Sequence, residues 1–480
     1  MFKKLNSNTK YFLFFFFFIF FSVFYLDHFK FFILFFILIS AIPAFIVYKK
    51  RDNKQFPLTE VQFFFLASVH LLFFLIPIDY LSDSFGWLTN SFIEKQKFID
   101  LHNGKYKNYY LIIGFGLISL FLGSVAGKFF FNYFKFFNHI NKYKLEIIKD
   151  NHFVFILGFI FFIISTFLHL FNDVLNYGNL SLICPLFSTS CLSYCLLANY
   201  KKNTSFFLLS FLFLIISLTN FNQFVPVLII LVIISNFWMI KKKITFFLIF
   251  SMFFYYFFTQ DIKISLREIT HTYKLSASQL LRNQLQIFDL FLERSFYNPE
   301  LSALKKIEFF NMNIKSHVTI ARVTIPTIAL NNIIIKNSNN ELTLLKGKSY
   351  EFLTFFFIPR YLWNAKPTNS YGPLYGKVAG LTDEGNETSI NVSWIADAYW
   401  NYGDLFILPL LIKGFLISFL GKFIYYKKGN IIYLAGIPSF SLLLLPESNF
   451  SLMLAQSLNY FVLLFLILFF ILFYEKKNKS

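Results

Sequence analysis

Runs of apolar residues long enough to cross a bilayer recur from one end of this 480-residue chain to the other. A spanning helix needs about 20 mainly apolar residues, because the hydrocarbon core is roughly 30 Å thick and offers no partner to an open peptide group. Hydrophobic residues make up 56% of the chain, with 75 phenylalanines, and only 14% are charged. Soluble domains carry about 25% charged residues, and no single core could hide this much apolar surface. The sequence therefore predicts an all-α, polytopic membrane protein.

A hydropathy reading with charged breaks gives about twelve spans. They are Tyr11–Leu26, Phe31–Tyr48, Val61–Ile78, Tyr109–Phe131, Phe153–Phe171, Leu182–Asn199, Phe206–Thr219, Val225–Ile240, Ile244–Phe258, Leu405–Tyr425, Ile431–Leu445 and Leu452–Tyr474. Three regions follow: residues 1–258 as an N-terminal membrane region with about nine spans, 259–404 as one large extracytoplasmic loop, and 405–480 as a C-terminal membrane region with about three spans. The first apolar run follows Lys3, Lys4 and Lys10, but no small-residue cleavage site follows it, so it reads as an uncleaved span.

The formal charge of +19 belongs to this topology. Lysine and arginine cluster at 49–54, 128–149, 201–202, 241–243, 422–428 and 476–479, whereas the short links on the opposite side carry only Lys30. Cytoplasmic links are the ones enriched in Lys and Arg, so both termini are expected in the cytoplasm. The long loop is also basic, but long segments cross regardless of charge. No basic soluble domain exists to bind nucleic acid.

Walker A, GxGxxG, HExxH and GxSxG patterns are all missing, so no nucleotide-driven or standard hydrolytic domain is expected. Cys184, Cys191 and Cys195 lie in one apolar run and read as small buried packers rather than a disulfide framework or a metal site. No cofactor is expected.

Polar chemistry concentrates in three pieces of the long loop. In Phe355–Pro367 an apolar run meets Pro359, Arg360, Tyr361, Trp363, Lys366 and Pro367. The prolines stiffen the backbone, and Arg360 offers a planar fork suited to phosphate oxygens. The plainer reading is an interfacial hairpin, with Arg360 and Lys366 snorkelling and Tyr361 and Trp363 in the aromatic belt. Upstream lie Gly347-Lys348-Ser349-Tyr350 and Arg322, a cation in the mostly apolar segment 318–329 that needs a partner or a polar cavity. Downstream, helical spacing over 390–402 would place Trp394, Asp397 and Asn401 on one face. A carboxylate beside aromatic rings suits a carbohydrate, with the acid taking a hydroxyl proton. A solvated loop leading into the next span is the alternative.

These pieces, in this order, resemble the oligosaccharide repeat-unit polymerases, the O-antigen polymerase family of the bacterial inner membrane. The matching residues are Arg322, Gly347–Tyr350, Ile358–Pro367, Thr388–Ser393 and Asp397–Gly403, with Asp397 where glutamate is usual and Trp400 where a smaller residue is common. The resemblance implies a membrane glycosyltransferase that joins undecaprenyl-diphosphate-linked glycan repeats at the outer face. It needs neither metal nor nucleotide. Its partners would be membrane lipid, the lipid-linked glycans and a chain-length regulator. In that setting Arg360, Arg322 and Lys366 are candidates to stabilise the departing diphosphate. Asp397 is the first candidate base, ahead of Glu387, His317 and His271. Tyr350, Tyr361, Trp363, Trp394 and Asn401 are candidates for substrate binding. The same topology fits an O-antigen ligase, which uses the same donor, and less well a lipid-linked oligosaccharide flippase.

Overall fold

A computed structural model of the chain describes residues 100–101, 106–133, 151–170, 178–219, 224–237, 317–358, 362–363, 366, 371–381, 392–426, 431–444 and 449–479. Every regular element among them is helical. The helices are α1 (Lys107–Tyr133), α2 (Asn151–Leu170), α3 (Gly178–Leu197), α4 (Lys202–Thr219), α5 (Phe224–Phe237), α6 (His317–Ser338), α7 (Lys348–Phe355), α8 (Gly372–Val378), α9 (Trp394–Tyr402), α10 (Ile407–Tyr426), α11 (Ile431–Phe440) and α12 (Phe450–Lys479). Short 3-10 turns at Gly403–Phe406 and Ser441–Leu444 extend α9 into α10 and continue α11.

Among the described residues, five stretches are long and apolar enough to cross a membrane: Asn108–Phe131, Asn151–His169, Leu180–Leu197, Trp394–Ile424 (α9 with α10) and Phe450–Ile471. The shorter apolar helices Lys202–Ser217, Val225–Asn236 and Ile432–Leu443 pack among them. These eight coincide with eight of the apolar runs expected from hydropathy. The runs at 11–26, 31–48, 61–78 and 244–258 lie outside the described residues. The run expected at Leu405–Tyr425 is α10, Ile407–Tyr426; α9 before it is a separate helix, and with the Asp397 carboxylate 2.7 Å from the Lys413 ammonium the two cannot form one straight span. Asp397, Asn401 and Asp404 lower the hydropathy of residues 394–404, where α9 is helical as far as Tyr402 and Gly403 breaks it at φ 55°. The polar residues at 397 and 401 are satisfied by protein rather than water.

Helix α3 sits at the centre of one group, packed against α2, α4, α5 and α11. Phe187, Cys191, Leu192 and Cys195 are completely buried there, and all three cysteines are free thiols in the packed interior. Asn236 on α5 donates to Ser193 on α3 (2.8 Å) and accepts from the Tyr433 hydroxyl on α11 (2.9 Å). That bridge satisfies an amide that would otherwise be stranded in an apolar interior. Outward-facing Phe159, Ile163, Phe167, Phe206 and Phe207 are exposed, as side chains of a lipid-facing surface would be.

The second group is built on α1 and α10, which lie against each other along most of their length. Gly123 and Gly127 on α1 meet the backbone of α10 at Leu411 and Phe415, and Gly414 on α10 meets the Leu120 carbonyl on α1. A Cβ at any of these glycines would overlap backbone atoms of the partner helix. Small residues four apart let two backbones touch, which is how apolar helices gain dispersion energy where water gives them no hydrophobic drive. Ser124 donates across the same seam to Ser418 (3.3 Å). With α10 fixed on α1, its N-terminal extension α9 is carried into the protein interior, and the candidate site forms around it.

Candidate functional site

The site is assembled around the carboxylate of Asp397. Ser393 caps α9 by accepting from the Ala396 N–H, a common helix start, and Gly403 ends it at φ 55°. One turn separates Trp394 from Asp397 and another separates Asp397 from Asn401, so the three share a face. Asp397 is 1% exposed, Asn401 and Trp394 not at all.

Lys413, on α10, donates to Asp397 Oδ2 at 2.7 Å and to the Trp394 carbonyl at 3.3 Å. Its ammonium is flanked by the rings of Tyr350 (5.1 Å) and Phe450 (5.2 Å). The other carboxylate oxygen, Oδ1, accepts from Ser349 Oγ at 2.9 Å and from Asn401 Nδ2 at 3.2 Å. Asn401 also donates to Ser349 Oγ (2.8 Å) and to the Asp397 carbonyl (2.7 Å). A buried charge is tolerable only when paired and hydrogen-bonded, and both conditions are met here.

The turn before α7 is fitted onto the end of α9. The Leu345 and Lys346 N–H groups donate to the carbonyls of Trp400 (3.1 Å) and Asn401 (2.9 Å), which the end of a helix leaves without intrahelical partners. Gly347, at φ 91°, donates its N–H to Asn401 Oδ1 (3.1 Å). Tyr350 stacks on Tyr402, with ring centroids 6.1 Å apart. Ser451 on α12 closes the arrangement by donating to the Ser349 carbonyl (2.5 Å). The Gly347–Tyr350 piece and the Asp397–Gly403 piece thus meet residue against residue.

Burial first, and the charge of Asp397 second, push the Tyr350 phenol well above its ordinary value, so it stays a protonated donor. Its hydroxyl is buried, with the Asp397 carboxylate beside it. Tyr371 is raised in the same way, by burial and then by Glu351 and Asp397. Tyr371 and Tyr375 both pack on the Trp400 ring.

Lys366 and Trp363 form a separate cluster at the other end of α7. The Lys366 ammonium donates to the carbonyls of Phe356 (2.9 Å) and Ile358 (2.7 Å) and lies over the Phe352 ring (5.1 Å). It is turned inward, 8% exposed, onto the open carbonyls past the helix end. Trp363 packs edge-on against Phe355 at 5.4 Å. Arg322 belongs to α6, but its side chain lies outside the description, as do Arg360 and Tyr361 entirely. Glu387 and His271 also lie outside the described residues, and the His317 side chain is not described.

Among the residues singled out in the sequence, Asp397, Trp394, Asn401 and Tyr350 are therefore brought together, joined by Ser349 and Lys413. Lys413 carries a signal that hydropathy averages away: between Asp404 and Lys422 it is the one ionisable residue in an apolar run. Such a residue demands a partner. Among the described residues no group of three or more metal-binding side chains occurs. No protein-family model, curated protein or solved structure matches the chain.

Proposed function

We propose that the protein is an oligosaccharide repeat-unit polymerase of the bacterial inner membrane, with about twelve spans, both termini in the cytoplasm and the segment 259–404 at the outer face. The observation that carries this reading is the residue-by-residue fit of the Gly347–Tyr350 turn to the Asp397–Gly403 helix end. These are two of the separate pieces on which the family resemblance rests, and their first members, Gly347 and Asp397, lie 50 positions apart.

The reaction transfers the growing glycan from its carrier. The bond between the reducing-end anomeric carbon and the undecaprenyl diphosphate breaks. A bond from that carbon to a hydroxyl oxygen of the incoming repeat forms, the hydroxyl proton is released, and the diphosphate departs with the electron pair. Charge grows on the departing diphosphate, and Arg360 and Arg322 are the cations proposed to stabilise it. Lys366, which donates to the carbonyls of Phe356 and Ile358, is the third candidate cation. Bringing two lipid-anchored substrates together lowers the entropic part of the barrier. A transporter would use an ionisable residue inside a span, such as Lys413, to face its cargo. The closure of Lys413 by Asp397, Trp394, Tyr350 and Phe450 favours the transferase.

The test is Arg360→Ala in a deletion host carrying the full-length protein, with glycans resolved on a gel. Single repeats without long chains are expected. A normal ladder overturns the site, and intact long chains that fail to reach their lipid core point to a ligase.

A further inference from the structure

Asp397 was the first candidate for a base, and the geometry points elsewhere: we infer that Asp397 and Lys413 are a positioning pair, which fixes the 347–350 turn against α9 and takes no proton from the acceptor. The inference rests on the polymerase reading for the reaction it serves, but not for the pair itself. Both carboxylate oxygens are occupied, Oδ2 by Lys413 and Oδ1 by Ser349 and Asn401, and neither residue of the pair is more than 2% exposed at its side chain. A base must reach the proton that it removes, whereas this carboxylate is walled in by its own protein.

What the pair does instead is join elements. Asp397 is on α9, Lys413 on α10 beyond the 3-10 turn, and Ser349 on α7. One carboxylate therefore holds the bend between α9 and α10 and the start of α7 at once. The Ser349 carbonyl is gripped in turn by Ser451 of α12. The residue set in place is Tyr350, next in the chain to Ser349, pressed between the Lys413 ammonium and the Tyr402 ring. Replacing both members of a buried pair by neutral groups of similar volume is often tolerated, whereas removing one leaves a charge alone in a low-dielectric interior.

The experiment uses the full-length protein in its deletion host with Asp397→Asn, Lys413→Met and the two combined. It reads long-chain glycan per folded molecule and melting temperature in detergent. Each single variant is expected to lose at least tenfold in long-chain glycan and to melt earlier. The combined variant is expected to return to within about threefold of wild type, since its Asn can still accept from Ser349. A combined variant that melts like wild type but makes no long chains overturns the inference, because the carboxylate then has a chemical role. So does an Asp397→Asn protein as stable and active as wild type. If the single variants do not fold, the melting temperature of the combined variant decides: recovery supports the pair, no recovery overturns it. Arg360→Ala is run alongside. A normal ladder there defeats the polymerase reading of the site, while the melting temperatures still judge the pair.

Discussion

A Cβ placed on Gly347 would stand 2.7 Å from the hydroxyl oxygen of Tyr402. That closeness, together with a backbone φ of 91°, is the reason for a glycine at the head of the Gly-Lys-Ser-Tyr turn. Gly347→Ala should destabilise the protein by about 1–3 kcal/mol, from a strained left-handed backbone and from the contact with Tyr402. Adding Tyr402→Phe removes the hydroxyl and should recover part of that loss, leaving the backbone share. Melting temperatures of the single and combined variants in detergent check this. If Tyr402→Phe recovers nothing, the close contact is not a source of the cost.

The seam between α1 and α10 should be far less tolerant than other helix contacts. Gly123→Ala or Gly414→Ala forces a methyl into the opposing backbone, so the helices must separate, at about 1–3 kcal/mol for overpacking and more if the seam opens along its length. Gly436 on α11 offers the comparison: the atoms nearest a Cβ there belong to the Ile424 side chain rather than to backbone. Gly436→Ala should therefore cost less than either seam variant. Thermal unfolding of the three in one detergent ranks them, and equal losses would show that backbone contact is not what holds the pair.

Sidedness can be read with introduced thiols, because the native Cys184, Cys191 and Cys195 are buried and give little background. Lys201 and Lys377 are both exposed, and the charge pattern puts them on opposite sides. Lys377→Cys should react with a membrane-impermeant maleimide in intact spheroplasts. Lys201→Cys should react only after permeabilisation. The reverse pattern would invert the proposed topology, and labelling of both from outside would change the span count between them.

The apolar helices could be read from the sequence because the bilayer imposes its thickness on them. Asn108–Phe131 and Phe450–Ile471 depend on nothing but length and hydropathy. The shared face of Trp394, Asp397 and Asn401 was equally legible, since helical spacing is local. The packing of α9 back onto α10 was not, because hydropathy counts Asp397 and Asn401 as exposed polar groups and takes no account of Lys413, 16 positions on from Asp397. The same limit applied to Lys366. Alone in the sequence it is a cation available to a phosphate; folded, it also donates to the carbonyls of Phe356 and Ile358, which no local pattern shows.

The sequence by itself determined that the chain is helical, that its apolar runs are long enough to cross a membrane and where its polar residues gather, because chain-local hydropathy and spacing suffice for all three. Only the tertiary structure decided which polar groups satisfy one another. Gly123 and Gly414 bring two helices into backbone contact, that contact carries α9 inward, and there Asp397 finds Lys413 and Ser349. Buried charges must be neutralised and hydrogen-bonded at about 3 Å, and residues so far apart in the chain reach that distance only when the helices between them have packed.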